Sequence, residues 1–284
     1  MTSPAASPSP ATSRTSATPA TEAPETEAPR DAAAVRKTLG LRWWREVLYI
    51  LAFYFVYSVV RNMQGSATVG EQHAFQNALE IIDIERFLHI YNERSVQRAF
   101  LDYRGFMEFW NLFYGTFHFF VTIGALLLLF RRFPERYPKW RNVLACTTGV
   151  ALVGFATYPL MPPRLLDQID PSFGFVDTLR VYGSLWSFDS GAMHKISNQY
   201  AAMPSLHFGW SAWCALVLIP ALPRTWMKAI AALYPFATTF SIVVTANHYW
   251  LDAAGGAVAL AIGYGLGVAV THWLGRRRRV LRPA

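Results

Sequence analysis

Apolar residues in this chain fall into long blocks rather than short alternating runs. Residues 109–130, 142–163, 203–223, 229–247 and 253–274 are free or nearly free of charge, and each block holds 19 to 22 residues. At a rise of about 1.5 Å per helical residue, a block of that length crosses a hydrocarbon core of about 30 Å. An earlier block, residues 47–60, is shorter; Trp43 and Trp44, with Arg42 and Arg45 snorkelling to the interface, extend it to a sixth span. The pattern predicts an all-α fold, a polytopic membrane bundle of six transmembrane helices.

The segments between the blocks carry their own signals. Phe75, Leu79, Ile82, Phe87 and Ile90 recur at helical spacing among acids and bases, which predicts an amphipathic helix along the outer interface, with a plain connector as the alternative. Residues 164–202 include Gly174, Gly183, Gly191 and several aromatics, and these 39 residues are enough to cover the bundle as a lid-like outer loop. Residues 1–34, rich in Ala, Ser, Thr, Pro and Glu, show no apolar periodicity and no early apolar run of a cleavable signal peptide; a disordered cytoplasmic tail is expected. The expected domains are that tail, a membrane catalytic domain over residues 35–275, and a basic cytoplasmic tail over residues 276–284.

Composition sharpens the class. Hydrophobic residues make up 53% of the chain and charged residues only 15%, against about 25% charged in soluble domains. The net charge of +8 then reads as topology rather than as a nucleic-acid footprint. Arg36, Lys37, Arg42 and Arg45, then Arg131, Arg132, Arg136, Lys139 and Arg141, then Arg224 and Lys228, then Arg276 to Arg279 fall on one side of the six-span arrangement. The other side holds eight basic residues, largely offset by Glu71, Glu80, Asp83, Glu85, Glu93 and Asp102. The positive-inside rule puts both termini in the cytoplasm. Cys146 and Cys214 are too few for a disulfide framework and lie at different depths, so redox chemistry is not expected.

Ionisable groups at span ends are costly and usually face a partner or a wet site. Arg164, His207, His248 and Asp252 all fall at the outer end. Pro204 suits the first turn of a helix, where the free N–H groups that follow would hold an anion beside His207. Asn247 is an N-cap candidate, which places His248 and Asp252 four apart on one helix face, the carboxylate holding one imidazole nitrogen. Arg164 carries a permanent forked charge suited to phosphate oxygens. Together these supply a nucleophile, its orienting base, a proton donor and a charge clamp for phosphoester cleavage. Two other readings stay open: buried polar groups acting as interhelical glue, and two histidines with a carboxylate binding iron or zinc. Glu108, Asn111, Gly115 and His118 fall within about 80° on one helix face; they serve as glue or line the cavity for a headgroup or acceptor.

Pro204-Ser205-x-His207 and His248-x-x-x-Asp252 resemble the second and third signature motifs of the type 2 phosphatidic acid phosphatase superfamily of membrane lipid-phosphate enzymes. Tyr200-Ala201-Ala202-Met203-Pro204-Ser205-Leu206-His207, with Pro162-Pro163-Arg164 and Thr245-Ala246-Asn247-His248-Tyr249, resembles most its inositol phosphorylceramide synthase branch; Asn111, Tyr114 and His118 are similar to a pattern there. The resemblance implies that His248 attacks phosphorus, Asp252 orients it, and His207 protonates the leaving oxygen, through a phosphohistidine intermediate. It also implies phosphate or substrate binding by Arg164, Ser205, Pro204, Asn111, Tyr114 and His118. The superfamily's first Lys and Arg motif has no evident copy, and its Ser-Arg pair reads Ser241-Ile242 here; Arg94 and Lys195 are possible substitutes for the missing clamp.

The expected function is phosphotransfer on a lipid phosphate or phosphodiester at the outer leaflet, to or from inositol or another polyol. A lipid-phosphate or polyprenyl-phosphate phosphatase using water is the alternative, and a non-enzymatic lipid transporter a third. The Ala- and Arg-rich chain looks bacterial, which argues against ceramide as substrate and for the plasma membrane. Membrane lipids are the expected surroundings; no metal, cofactor or nucleic-acid partner is expected, and the sequence leaves the oligomeric state open.

Overall fold

The computed structural model describes residues 31–63, 70–183 and 199–280. Lys195, Gly191 and most of the expected N-terminal tail lie outside them, as does part of the lid-like loop. The described elements are helical, joined by one isolated β-bridge between Leu160 and Ala201.

In chain order the helices are α1 (Ala32–Leu39), α2 (Trp43–Met63), α3 (Glu71–Phe87), α4 (Glu93–Arg98), α5 (Arg104–Arg132), α6 (Tyr137–Thr157), the short α7 (Pro163–Leu166) and α8 (Thr178–Val181), then α9 (Leu206–Leu218), α10 (Thr225–Val244) and α11 (Trp250–Val280). Three of them, α5, α10 and α11, are long and apolar enough to cross a membrane. They coincide with the blocks at 109–130, 229–247 and 253–274. The block at 203–223 folds differently: α9 has 13 residues, a rise of about 20 Å. Its first residues form a loop that ends on the N-cap Ser205.

Close backbone approach fixes the pairing of α6 with α11. A Cβ on Gly267 would lie 2.5 Å from the Val143 Cα, and one on Gly263 2.6 Å from the Thr147 Cα. Two glycines one turn apart let the helix axes come together where any side chain would separate them.

Among the described residues the two larger apolar cores lie at different levels of the bundle, with a smaller cluster of Ile242, Val243 and Ala253 beside them. One, at the end of the bundle near the histidines, joins Ala74, Phe75, Ala78, Ile81 and Ile82 of α3 to Leu160, Met161, Leu165, Leu166, Ala246 and Tyr249. The other joins Ala125, Leu129, Trp140, Val143, Trp213, Cys214 and Val217. Both cysteines are free.

The helix expected from the pattern after residue 70 is α3, and of its expected apolar face Phe75 and Ile82 are buried and Leu79 packs on the same core, while Phe87 is 81% exposed. Ala74, Ala78, Ile81 and Glu85 turn inward beside them. Backbone bonding fixes this orientation: the Ala74 carbonyl accepts from the Met161 N–H at 3.1 Å, and Asn77 Nδ2 donates to the Pro159 carbonyl at 2.7 Å. Small alanines allow that approach, and the larger apolar residues follow.

Candidate active site

His248 is placed by the end of one helix and the start of the next. At the C-terminus of α10, the Asn247 N–H bonds to the Ile242 carbonyl and the Ala246 N–H to the Val243 carbonyl, both at 2.9 Å. This is a Schellman cap, and it needs a left-handed residue at the turn. Ala246 takes that role with φ 53°, a strained conformation for a residue with a Cβ. The His248 N–H also returns to the Ile242 carbonyl, at 3.1 Å.

Helix α11 begins only at Trp250, so Asn247 is not its N-cap, a correction to the expectation from spacing. Tyr249 sits at the cap position and Asp252 three residues on. Asp252 Oδ2 accepts from the Tyr249 N–H at 3.0 Å, the reciprocal half of a capping box. The same oxygen lies 3.0 Å from His248 Nδ1. The pair therefore meets across the helix start rather than along a helix face. Asp252 is fully buried and His248 nearly so. An imidazole whose Nδ1–H is held by a buried carboxylate presents Nε2 as a lone pair, the form a nucleophile or base requires.

His207 lies in the first turn of α9. Its ring centroid is 5.4 Å from that of His248. Tyr114 stacks on it at 4.3 Å and His118 meets it edge-on at 4.4 Å. His118 Nδ1 bonds to the Tyr114 carbonyl at 3.0 Å, so α5 supplies a rigid wall behind the two imidazoles.

Pro204 and Ser205 hold α9 against α11. Ser205 is the N-cap, its Oγ accepting from the Phe208 N–H at 3.4 Å, and its own N–H donates to the Asp252 carbonyl at 2.9 Å. Pro204 precedes the cap instead of occupying the first turn, a second correction. Its ring is wedged where a Cβ on Gly154 would come within 2.4 Å of its Cδ and one on Gly255 within 3.4 Å of its Cβ. Both residues are engaged with protein, as packing and cap.

Arg164 is oriented on two sides: Nε donates to Asn247 Oδ1 at 2.9 Å and Nη1 to Asp177 Oδ2 at 2.8 Å. Its N–H bonds to the Ala246 carbonyl at 2.8 Å, which seats it beside the residues leading into His248. Asp177 and the orienting role of Asn247 had no signal in the sequence beyond a polar side chain in a loop.

The expected polar stripe on α5 divides. Glu108 pairs outward with Arg104 at 2.7 Å. Asn111, by contrast, is buried and holds the segment that follows α7. Its Nδ2 donates to the Thr178 and Gly183 carbonyls at 2.8 and 3.2 Å, and its Oδ1 accepts from Thr178 Oγ1 at 2.9 Å. Ser241, where the resemblance anticipates a Ser-Arg pair, bonds to the Trp110 carbonyl at 3.2 Å, with Ile242 fully buried beside it. A guanidinium in that apolar position would be unpaired. Arg94 approaches Gly174 together with Arg98.

A family model described as the PAP2 superfamily matches residues 79–266, which contain His207, His248, Asp252, Arg164 and all three α5 residues. Neither the curated proteins nor the solved structures contain a match to the chain. With the match spanning more than half of its length and the paired histidines inside it, the chain belongs to the PAP2 superfamily, whose members are phosphatases or phosphotransferases.

Proposed function

We propose that this enzyme is an integral membrane phosphotransferase of six spans, with both termini in the cytoplasm and the site facing the outer leaflet. Its donor is a lipid phosphate or phosphodiester. The observation that carries the reading is the arrangement of two imidazoles 5.4 Å apart, one of them held by a buried carboxylate at 3.0 Å.

His248 Nε2 attacks phosphorus, and the Nδ1–H bond to Asp252 stabilises the imidazolium that forms. His207 donates a proton to the leaving oxygen, a contribution of about 10²- to 10⁴-fold for a placed general acid. The phosphohistidine is then discharged by an acceptor that His207, now the base, deprotonates. Transfer of this kind is mainly positioning and charge stabilisation. Arg164, held by Asn247 and Asp177, and the N-terminus of α9 are suited to the anionic oxygens. Tyr114 and His118 wall the pocket; Asn111, Ser205 and Pro204 support it from behind.

The branch-like motifs around Tyr200 and Thr245 favour inositol or a similar polyol as acceptor or headgroup. Purified protein in detergent, given a labelled lipid donor with and without inositol, tests this. A new phosphodiester that requires the polyol supports transfer. Free phosphate as the sole product under both conditions replaces it with the hydrolase reading.

A further inference from the structure

A buried helix start has N–H groups with no partner inside the helix, and each needs an acceptor from elsewhere. In α11 the Tyr249 N–H is taken by Asp252. The next two are taken from outside the helix: Leu251 N–H donates to Glu85 Oε1 at 2.8 Å and Trp250 N–H to Glu93 Oε1 at 3.4 Å. Glu85 lies near the end of α3 and Glu93 opens α4. Both are 0% exposed.

Oε2 of each is buried and meets no donor. Two ionised carboxylates are acceptors only and could not satisfy one another. One proton held between them would give both oxygens a partner. Burial, followed by the contact with Glu93, pushes Glu85 up to about 10, so the proton is retained through the neutral range. Asp252 adds to the negative field from α11; Tyr91, with Arg86 over its ring and Arg94 acting on it from further along the chain, is pushed up to about 12 by burial and then by Glu93.

We infer that Glu85 and Glu93 are positioning residues for catalysis: a carboxyl pair sharing one proton that grips the first turn of α11 and thereby holds Asp252 and His248 in register. The inference rests on the phosphotransfer reading above. It gives α3 and α4 a role in placing the catalytic pair without touching the substrate. A shared proton also accounts for why two acids can occupy one dry site: a helix N-terminus welcomes one negative charge, whereas two would repel.

The discriminating substitution is Glu85→Gln, whose amide oxygen still accepts from Leu251 while its NH₂ replaces the shared proton. Turnover of a labelled lipid phosphate by this variant should stay within about threefold of the parent. Glu85→Ala should lower kcat by about 10- to 100-fold with KM nearly unchanged, as expected for a small misplacement of reacting groups. The parent should lose kcat at the alkaline end of its pH profile as the proton leaves, and Glu85→Gln should not. Infrared spectra of the intact protein should show a protonated-carboxyl stretch at neutral pH that Glu85→Gln removes.

Absence of that band in the parent, or a Gln variant as impaired as the Ala variant, overturns the inference. The spectrum needs no turnover and stays readable if Glu85→Ala does not fold. A parent that shows the band but turns over no phosphate ester defeats the phosphotransfer reading instead, and the positioning role with it.

Discussion

The two ends of the bundle are held together by different physics. Around the histidines, buried polar groups are joined by directed hydrogen bonds: Asp252 to His248 and Tyr249, Arg164 to Asn247 and Asp177, Asn111 to Thr178. At the other end, Leu129, Val143, Trp213 and Cys214 are fully buried and apolar, and Gly263 and Gly267 bring α11 against α6. Charged side chains frame that core rather than enter it. Arg36 Nη1 donates to the Arg131 carbonyl at 2.9 Å where α5 ends, and Arg141 pairs with Glu46. Directed bonds set positions within tenths of an ångström but stabilise little individually; close packing stabilises but tolerates small slips. The contrast predicts that damage at one end is read in turnover and damage at the other in folding.

The sharpest break is His248→Ala. Phosphate turnover should fall by at least about 10⁴-fold, as when a covalent nucleophile is removed, while the thermal midpoint in detergent moves little. Residual activity near the parental level would end the case for a phosphohistidine. Asp252→Asn comes next, with a loss of about 10²- to 10⁴-fold because the amide no longer fixes the tautomer of His248. Trapping of labelled phosphohistidine should fall in parallel.

Arg164→Lys keeps the charge but abandons the fork between Asn247 and Asp177; kcat/KM should drop by about 10- to 100-fold. Asp177→Asn should reproduce part of that loss, and parental kinetics in both variants would remove Arg164 from the phosphate set. At the far end, Gly267→Ala puts a Cβ into the Val143 backbone and should cost about 1–3 kcal/mol. Chemical denaturation should show the loss, with kcat per folded molecule unchanged.

The last effect is electrostatic and is read in the slope of stability against pH. Glu85 is raised from 4.5 to about 10, so the folded chain holds a proton that the unfolded chain releases. Its stabilising contribution is complete below about 4.5 and declines as pH rises towards 10. Melting temperatures taken across that window should fall less steeply for Glu85→Gln than for the parent; identical slopes would mean that the proton is absent.

The site's chemistry was largely legible from residue identity and its geometry less so. His207, His248 and Asp252 stand in recognisable spacings at the ends of apolar blocks. Spacing also suggested Asn247 as a cap. The Schellman turn on Ala246 absorbs that residue and His248, a backbone choice that a non-glycine residue does not advertise. Pro204 misled similarly, since a proline before the cap and one in the first turn read alike. Glu85, Glu93 and Asp177 were hidden for a plainer reason: an acid in a connector looks solvated until three elements fold over it. The apolar blocks located helices well, but α9 is shorter than its block because residues 203–205 are used as a wedge and cap.

The main-chain bond from Ser205 to the Asp252 carbonyl, with Gly256 admitting the Ser205 carbonyl so closely that a Cβ would lie 2.4 Å away, welds the two imidazole-bearing segments into one body. A bulky substrate cannot be admitted by prising them apart without breaking that weld. Breathing motions of the protein should therefore carry both rings together, so the distance a phosphoryl group has to bridge stays constant while the rest of the cleft changes shape.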